Sequence, residues 1–203
     1  MQLHLNATSP FARVARIVAM EKGLQDQLEL CWTDPWADPA ELLGANPVGR
    51  IPVLTTSTGE HIAESLLIAQ YLDTQAPSPA LFPSGLLASV LEQSSRGYGL
   101  MEAAFSTVIH RKYQGTEADH TTLGQRRHQA IERTLAALEH TAVSRAEQAS
   151  QDPVDLGQLV VAVALDYVSF RLPEIGWQAS CPALAEWHRR FIQRSSFIDT
   201  AFA

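Results

Sequence analysis

A short apolar strand with a proline near its start constrains this chain more than any other feature. The strand comprises residues 51–54, Ile-Pro-Val-Leu, and a turn marked by Pro47 and Gly49 precedes it. Proline has no N–H group, so one edge of such a strand lacks a hydrogen-bond donor. A cis bond between Ile51 and Pro52 would direct the neighbouring peptide groups outward, where an extended ligand can pair with them. The segment therefore predicts a backbone site for a small peptide-like ligand.

The length and charge of the chain exclude several classes of protein. Its 203 residues suffice for one large domain or two small ones. A net charge of -7 argues against nucleic-acid binding, because proteins of that class concentrate positive charge. No segment reaches membrane-spanning length and the N-terminus lacks a signal-peptide pattern, so we expect a cytoplasmic protein without a membrane partner. The two cysteines, Cys31 and Cys181, and the seven histidines show no metal-ligand spacing, and we expect no metal site.

Strand and helix signals alternate over residues 2–74. Residues 2–6 and 27–32 have strand patterns, and an amphipathic helix that begins near Pro10 and ends at Gly23 lies between them. A short helix, two strands and a third helix follow, at 38–45, 51–54, 61–62 and 64–74. The order is βαβαββα. Its first two strands should be parallel because a helix joins them, and its last two antiparallel because a tight turn joins them.

Residues 77–85, which contain three prolines, mark the best domain boundary. Helical patterns cover the rest of the chain, at 86–114, 121–149, 155–171 and 182–194. Asp155 and Gln158 predict a capping box at the third of these helices, whose apolar residues on nearly all sides indicate a buried position. We therefore predict an α/β domain over residues 1–76, a linker over 77–85 and an all-α domain over 86–203.

Further motifs accompany the proline strand. Residues 9–11, Ser-Pro-Phe, with Arg13, lie where the first strand gives way to the first helix, and Glu64-Ser65 begins the third helix. Together with residues 46–54 and the capped helix at Asp155, they make the chain resemble the cytosolic glutathione transferases, particularly bacterial members with a serine near the N-terminus. The resemblance covers essentially the whole chain. It implies a thioredoxin-like N-terminal domain (βαβαββα) followed by an all-α C-terminal domain.

The resemblance implies a glutathione site in the first domain, with glutathione as co-substrate. The implied binding residues lie in the proline strand and at the start of the third helix: Arg50, Ile51, Pro52, Val53, Glu64 and Ser65. Glu64 and Ser65 would hold the γ-glutamyl end of glutathione. Val53, or Ile51 as the alternative, would offer backbone groups to the cysteinyl segment. Arg50 would contact the glycyl carboxylate.

The chemistry implied is activation of the glutathione thiol. A free thiol has a pKa of about 8.5, and only its thiolate is a nucleophile. A hydrogen bond from Ser9, with the amino end of the first helix behind it, would favour the thiolate. By itself Ser9 fits a helix cap equally well, and Thr8 is the alternative hydroxyl. Residues 9–12 lack the redox dithiol of thioredoxin-like proteins, so exchange through the protein's own thiols is not expected.

A small, partly apolar electrophile is the second implied substrate. The resemblance places it between the domains, and Gly97 and Gly99 are predicted to kink the helix beside it. The expected contact residues are Phe11, Tyr98, Met101 and Phe105. The chain is thus predicted to be a homodimeric glutathione transferase of alkyl or aryl groups, acting in detoxification. The alternatives are glutathione-dependent reduction of small disulfides or peroxides, and a non-catalytic binding or regulatory role.

Overall fold

The computed structural model describes residues 1–147 and 154–203, without the side chains of 143–147. These residues form two compact units. The first unit comprises Met1–Leu87 and Arg194–Ala203, and the second comprises Ala88–Gln193. The first unit contains a mixed four-stranded sheet with helices, and the described residues of the second are helical. The predicted fold class, a thioredoxin-like domain followed by a helical region, is therefore confirmed.

The sheet of the first unit has the strand order β2-β1-β3-β4. Its strands are β1 (Gln2–Leu5), β2 (Glu29–Trp32), β3 (Val53–Thr55) and β4 (His61–Ala63). β1 is parallel to β2 and β3 is antiparallel to β4, as predicted. β1 also pairs with β3, in the antiparallel direction. Because β1 and β4 run in the same direction and β3 runs against them, the carboxyl ends of β1 and β4 share one sheet edge with the amino end of β3.

Helices α1 (Pro10–Glu21), α2 (Ala40–Ala45) and α3 (Ser65–Gln75) complete the predicted order. Helix α1 begins at a proline, which suits the first helical position because the N–H group that proline lacks would have no helical partner there. α1 packs against α3, and both contribute fully buried side chains to the core, among them Ile17 and Ile68. The core therefore lies beneath the two helices that begin at the sheet edge defined above.

The described helices of the second unit are α4 (Leu87–Gln114), α5 (Thr122–Glu147), α6 (Leu156–Arg171), α7 (Trp177–Ser180) and α8 (Pro182–Phe191). The helix predicted at 121–149 corresponds to α5, and residues 148–149 of that prediction lie outside the described residues. The predicted capping box is present at α6. Asp155 Oδ1 accepts from the Gln158 N–H at 2.9 Å, and Gln158 Oε1 accepts from the Asp155 N–H at 3.1 Å. The helix that follows is buried on nearly all sides, as its sequence predicted.

The last ten residues belong to the first unit, whereas the sequence grouped all of 86–203 in one helical domain. This segment, Arg194–Ala203, is here termed the C-terminal clamp, and it contains the short helix α9 (Ser195–Ile198). An ion pair joins Arg194 Nη2 to Glu21 Oε2 at 2.6 Å, and the Ser196 hydroxyl donates to Glu21 Oε1 at 2.5 Å. These bonds attach the clamp to the carboxyl end of α1.

We expect this attachment to weaken in acid. Burial by itself raises the pKa of Glu21, but hydrogen bonds from Arg194 and Ser196, with the charge of Arg194, outweigh it and lower the pKa. A carboxyl group with a lowered pKa stabilises the fold above its unfolded pKa, and the contribution disappears as the pH falls through the folded pKa. The difference in melting temperature between wild type and Glu21→Gln should therefore shrink between neutral pH and about pH 3. A difference that is independent of pH would contradict this account.

Candidate functional site

Three of the predicted site segments lie along one edge of the sheet. Ser9 follows the carboxyl end of β1, Ile51-Pro52 precedes the amino end of β3, and Glu64-Ser65 follows the carboxyl end of β4. Strands β1, β3 and β4 are neighbours, and neighbouring strands are about 4.8 Å apart. The outer two strands, β1 and β4, are therefore about 10 Å apart, which is the length of three residues of extended chain.

Ser9 is half-buried and caps α1. Its Oγ accepts a hydrogen bond from the Ala12 N–H at 3.2 Å, so the capping role considered from the sequence is present. A cap bond uses the hydroxyl oxygen as acceptor and leaves the hydroxyl hydrogen for another partner. No described residue accepts that hydrogen. Ser9 can therefore cap the helix and donate to a ligand at the same time.

The hydroxyl of Thr8 has a partner within the loop. Asn6 Oδ1 accepts from the backbone N–H groups of Ser9 at 2.8 Å and Thr8 at 3.1 Å, and it faces the Thr8 hydroxyl at 3.5 Å. This arrangement favours Ser9 over Thr8 as donor to a ligand. No role was predicted for Asn6, although an asparagine side chain commonly bonds to backbone two residues later in turns.

The Ile51-Pro52 bond is cis, the geometry on which the predicted backbone site depends. Strand pairing begins at Val53, which lies opposite His4 of β1 and Ala63 of β4. Val53 therefore lies between two strands of the sheet, whereas Ile51 precedes the paired region. Of the two residues considered from the sequence, Ile51 has the backbone groups that are more accessible to an extended ligand.

Asn46 organises the turn before Ile51. It is buried, its Nδ2 donates to the Arg50 carbonyl at 2.8 Å, and its Oδ1 accepts from the Val48 N–H at 3.1 Å. Gly49 completes the turn with a φ of 69°, a conformation that favours glycine. Arg50 is exposed, and no ion pair among the described residues involves it. No role of its own was predicted for Asn46, although an Asn-Pro pair is a known turn signal.

Glu64 has a left-handed backbone, with φ 68° and ψ 118°, which few residues other than glycine adopt. It directly precedes Ser65, the buried first residue of α3. The Glu64 side chain makes no capping bond, so it leaves the first N–H groups of α3 without a cap. A helix start of this kind attracts carboxylates, and backbone strain of this kind clusters at ligand sites.

The predicted electrophile residues divide between the two units. Phe11 is half-buried on α1 in the first unit. Tyr98 and Phe105 are half-buried on α4 in the second unit, and Met101 on the same helix is fully buried. In the structure as it stands, Met101 has no surface to offer a ligand.

Cys31 is not an activated thiol. Partial burial raises its pKa, and the carboxylates of Glu29 and Glu41 raise it further. Cys31 is half-buried on an edge strand, and Cys181 is buried. Within the described ranges, no group of histidine, cysteine or carboxylate side chains is placed to hold a metal ion. No described helix has the length and apolar character needed to cross a membrane.

Known proteins share both the sequence pattern and this architecture. The family model for the glutathione S-transferase N-terminal domain matches residues 8–75. The chain is 30% identical over 202 residues to the uncharacterized GST-like protein YibF of Escherichia coli (strain K12). The matched region covers 98% of each protein.

Two solved structures extend the likeness over the full chain. A glutathione transferase family member from Pseudomonas fluorescens Pf-5, crystallised with glutathione, has a TM-score of 0.87 at 28% identity and covers 100% of this chain and 98% of its own. A structure of a family member from the same organism with bound S-(propanoic acid)-glutathione has a TM-score of 0.85 at 29% identity, covering 100% of both chains.

Proposed function

Since this chain belongs to the glutathione S-transferase family, we propose that it binds glutathione at the shared sheet edge and activates the thiol for attack on small electrophiles. One observation carries the proposal. A hydroxyl donor at Ser9, an unpaired backbone at Ile51 and an uncapped helix start at Ser65 follow one another across three adjacent strands. The strands that carry them span about 10 Å, the length of an extended tripeptide.

The γ-glutamyl end of glutathione is proposed to bind at the start of α3. Its carboxylate accepts from the Ser65 hydroxyl and from the first N–H groups of the helix, where the helix dipole favours a negative charge. The carboxylate of Glu64 faces the α-amino group. The cysteinyl residue pairs with the backbone of Ile51, and the exposed guanidinium of Arg50 binds the glycyl carboxylate.

Ser9 is proposed to stabilise the thiolate. Its free hydroxyl hydrogen donates to sulfur, and the amino end of α1 adds a positive potential behind it. Lowering the thiol pKa by two units corresponds to about 2.7 kcal/mol. The thiolate then attacks the electrophile and forms the carbon–sulfur bond, the leaving group departs, and Ser9 forms no covalent bond.

One observation favours conjugation over reduction. The Pseudomonas structure described above holds a glutathione thioether, which is the type of product that conjugation yields. Reduction, the alternative, would use two external glutathione molecules and no cysteine of the protein. Mass spectrometry of the products distinguishes the reactions, because reduction yields oxidised glutathione and conjugation yields a thioether.

Calorimetric titration of wild type, Glu64→Gln and Ser65→Ala with glutathione tests the proposal. Each variant removes one charge-assisted contact and should weaken binding about tenfold or more. Glu60→Gln is the matched control, because it removes the same charge from an exposed carboxylate that bonds only within the Thr56–Thr58 turn. Wild-type protein that binds no glutathione would instead support a non-catalytic role for the fold.

A further inference from the structure

Arg13 is a buried cation near the amino end of α1. Only 6% of the residue is exposed, although arginine is almost never buried unless its charge is paired. It lies four residues after Ser9, and its backbone N–H donates to the Ser9 carbonyl at 3.0 Å. The contacts of the Arg13 side chain therefore bear on the same helical turn that presents the Ser9 hydroxyl.

The C-terminal clamp encloses this guanidinium. Arg13 Nε donates to the Thr200 hydroxyl oxygen at 3.2 Å, and Nη2 donates to the Phe197 carbonyl at 3.1 Å. The guanidinium carbon also lies 5.4 Å from the centre of the Phe197 ring and 4.5 Å from that of Phe202. Both distances allow a cation–π interaction, which is strengthened where water is excluded.

The clamp holds α1 a second time, at its other end. Arg194 and Ser196 both bond to Glu21, which lies eight residues after Arg13 and thus about 12 Å further along the helix. The two attachments use different chemistry, so they can be removed separately. Only the attachment at Arg13 contacts the turn that carries Ser9.

We infer that Arg13 is a positioning residue for the thiol site and that the three clamp residues that hold its guanidinium, Phe197, Thr200 and Phe202, support the site through it. The inference rests on the proposed function and adds these residues, but not the Glu21 attachment, to the machinery. Donation to sulfur requires the hydroxyl to stay within hydrogen-bond reach, and a displacement of about 1 Å can cost a large factor in rate. The clamp prevents such a displacement by fixing the turn from its buried side.

A clamp that only stabilised the fold would not affect the thiol site. Two hydroxyl groups in the clamp allow a role in the site to be distinguished from a purely structural role. Thr200 and Ser196 are both buried in the clamp, at 4% and 2% exposure. Thr200 accepts from Arg13, whereas Ser196 donates to Glu21. Thr200→Val and Ser196→Ala each remove one hydroxyl from the same short segment, and only the first should alter the thiol site.

The readouts are kcat, KM, the melting temperature and the pKa of bound glutathione, followed through the ultraviolet absorbance of its thiolate. We expect Thr200→Val to lower kcat about three- to tenfold, the factor that corresponds to one hydrogen bond, and to raise the thiol pKa. Ser196→Ala should lower the melting temperature and leave both catalytic readouts unchanged. Arg13→Lys keeps the positive charge but loses the planar guanidinium with its several N–H donors, so it should lower kcat as well. It replaces Thr200→Val as the test variant if Thr200→Val does not fold.

Equal kcat and thiol pKa in wild type, Thr200→Val and Arg13→Lys would overturn the inference while leaving the proposed function intact. Equal losses of kcat in Thr200→Val and Ser196→Ala would overturn it too, because they would show a general stability effect. Wild-type protein that neither binds nor conjugates glutathione would refute the proposed function, and the inference with it.

Discussion

Ser9→Ala is expected to remove most of the conjugating activity. The substitution should lower kcat/KM for a generic aryl halide about 10- to 100-fold, because a hydrogen bond to a charged group contributes about 1.5–3 kcal/mol. The pKa of bound glutathione should rise toward the free-thiol value of about 8.5. The deficit should be largest below that pH and should shrink above it, where the thiolate forms unaided. Rates measured across a range of pH, with the thiolate absorbance, check both expectations.

Ser9 also caps α1, so the loss of activity must be separated from a loss of stability. Losing a cap costs about 1 kcal/mol of stability, and Ser9→Asp keeps a good cap but replaces the hydroxyl donor with an anion that repels the thiolate. We expect Ser9→Asp to be folded and inactive. Thr8→Val removes the hydroxyl that faces Asn6 and should preserve the thiol pKa. Full activity in Ser9→Ala, or its loss in Thr8→Val, would remove Ser9 from the proposed role.

Local sequence patterns were sufficient for most of the fold because the elements carry their own signals. The capping box at α6 is a contact between residues three apart, and its bonds form as the pattern predicts. The order βαβαββα fixes the strand directions, and these bring the segments at Ser9, Pro52 and Glu64 to one sheet edge. Much of the candidate site could therefore be predicted from the sequence.

The remaining parts of the site depend on contacts that leave no periodic signal. The left-handed backbone of Glu64 is set by how β4 meets α3, since glutamate itself does not favour it. Arg13 finds its partners at Phe197 and Thr200, which lie 184 and 187 residues later in the chain. The sequence pattern around 194–203 describes only a terminal segment after a helix. Such long-range pairs become visible only in the folded chain.

The two glycines of helix α4 differ in their surroundings. Gly97 and Gly99 were expected to kink this helix, and they do not interrupt it, since α4 runs continuously from Leu87 to Gln114. A Cβ atom added at Gly97 would lie 2.8 Å from Val160 Cγ1 and 3.0 Å from the Val161 backbone nitrogen. One added at Gly99 would meet no atom within 4 Å. Gly97 therefore permits close packing of α4 on α6, and Gly99 has no such role.

Alanine at these two positions should accordingly change stability in opposite directions. Gly97→Ala forces atoms apart in a packed core and should lower the free energy of unfolding by about 1–3 kcal/mol. Gly99→Ala meets open space on the same helix and should raise it by about 0.5–1 kcal/mol, because alanine loses less conformational entropy than glycine. Chemical denaturation of both variants beside wild type provides the measurement. Destabilisation by both would mean that α4 needs flexible glycines at this point, whereas opposite signs would show that it needs only room for α6.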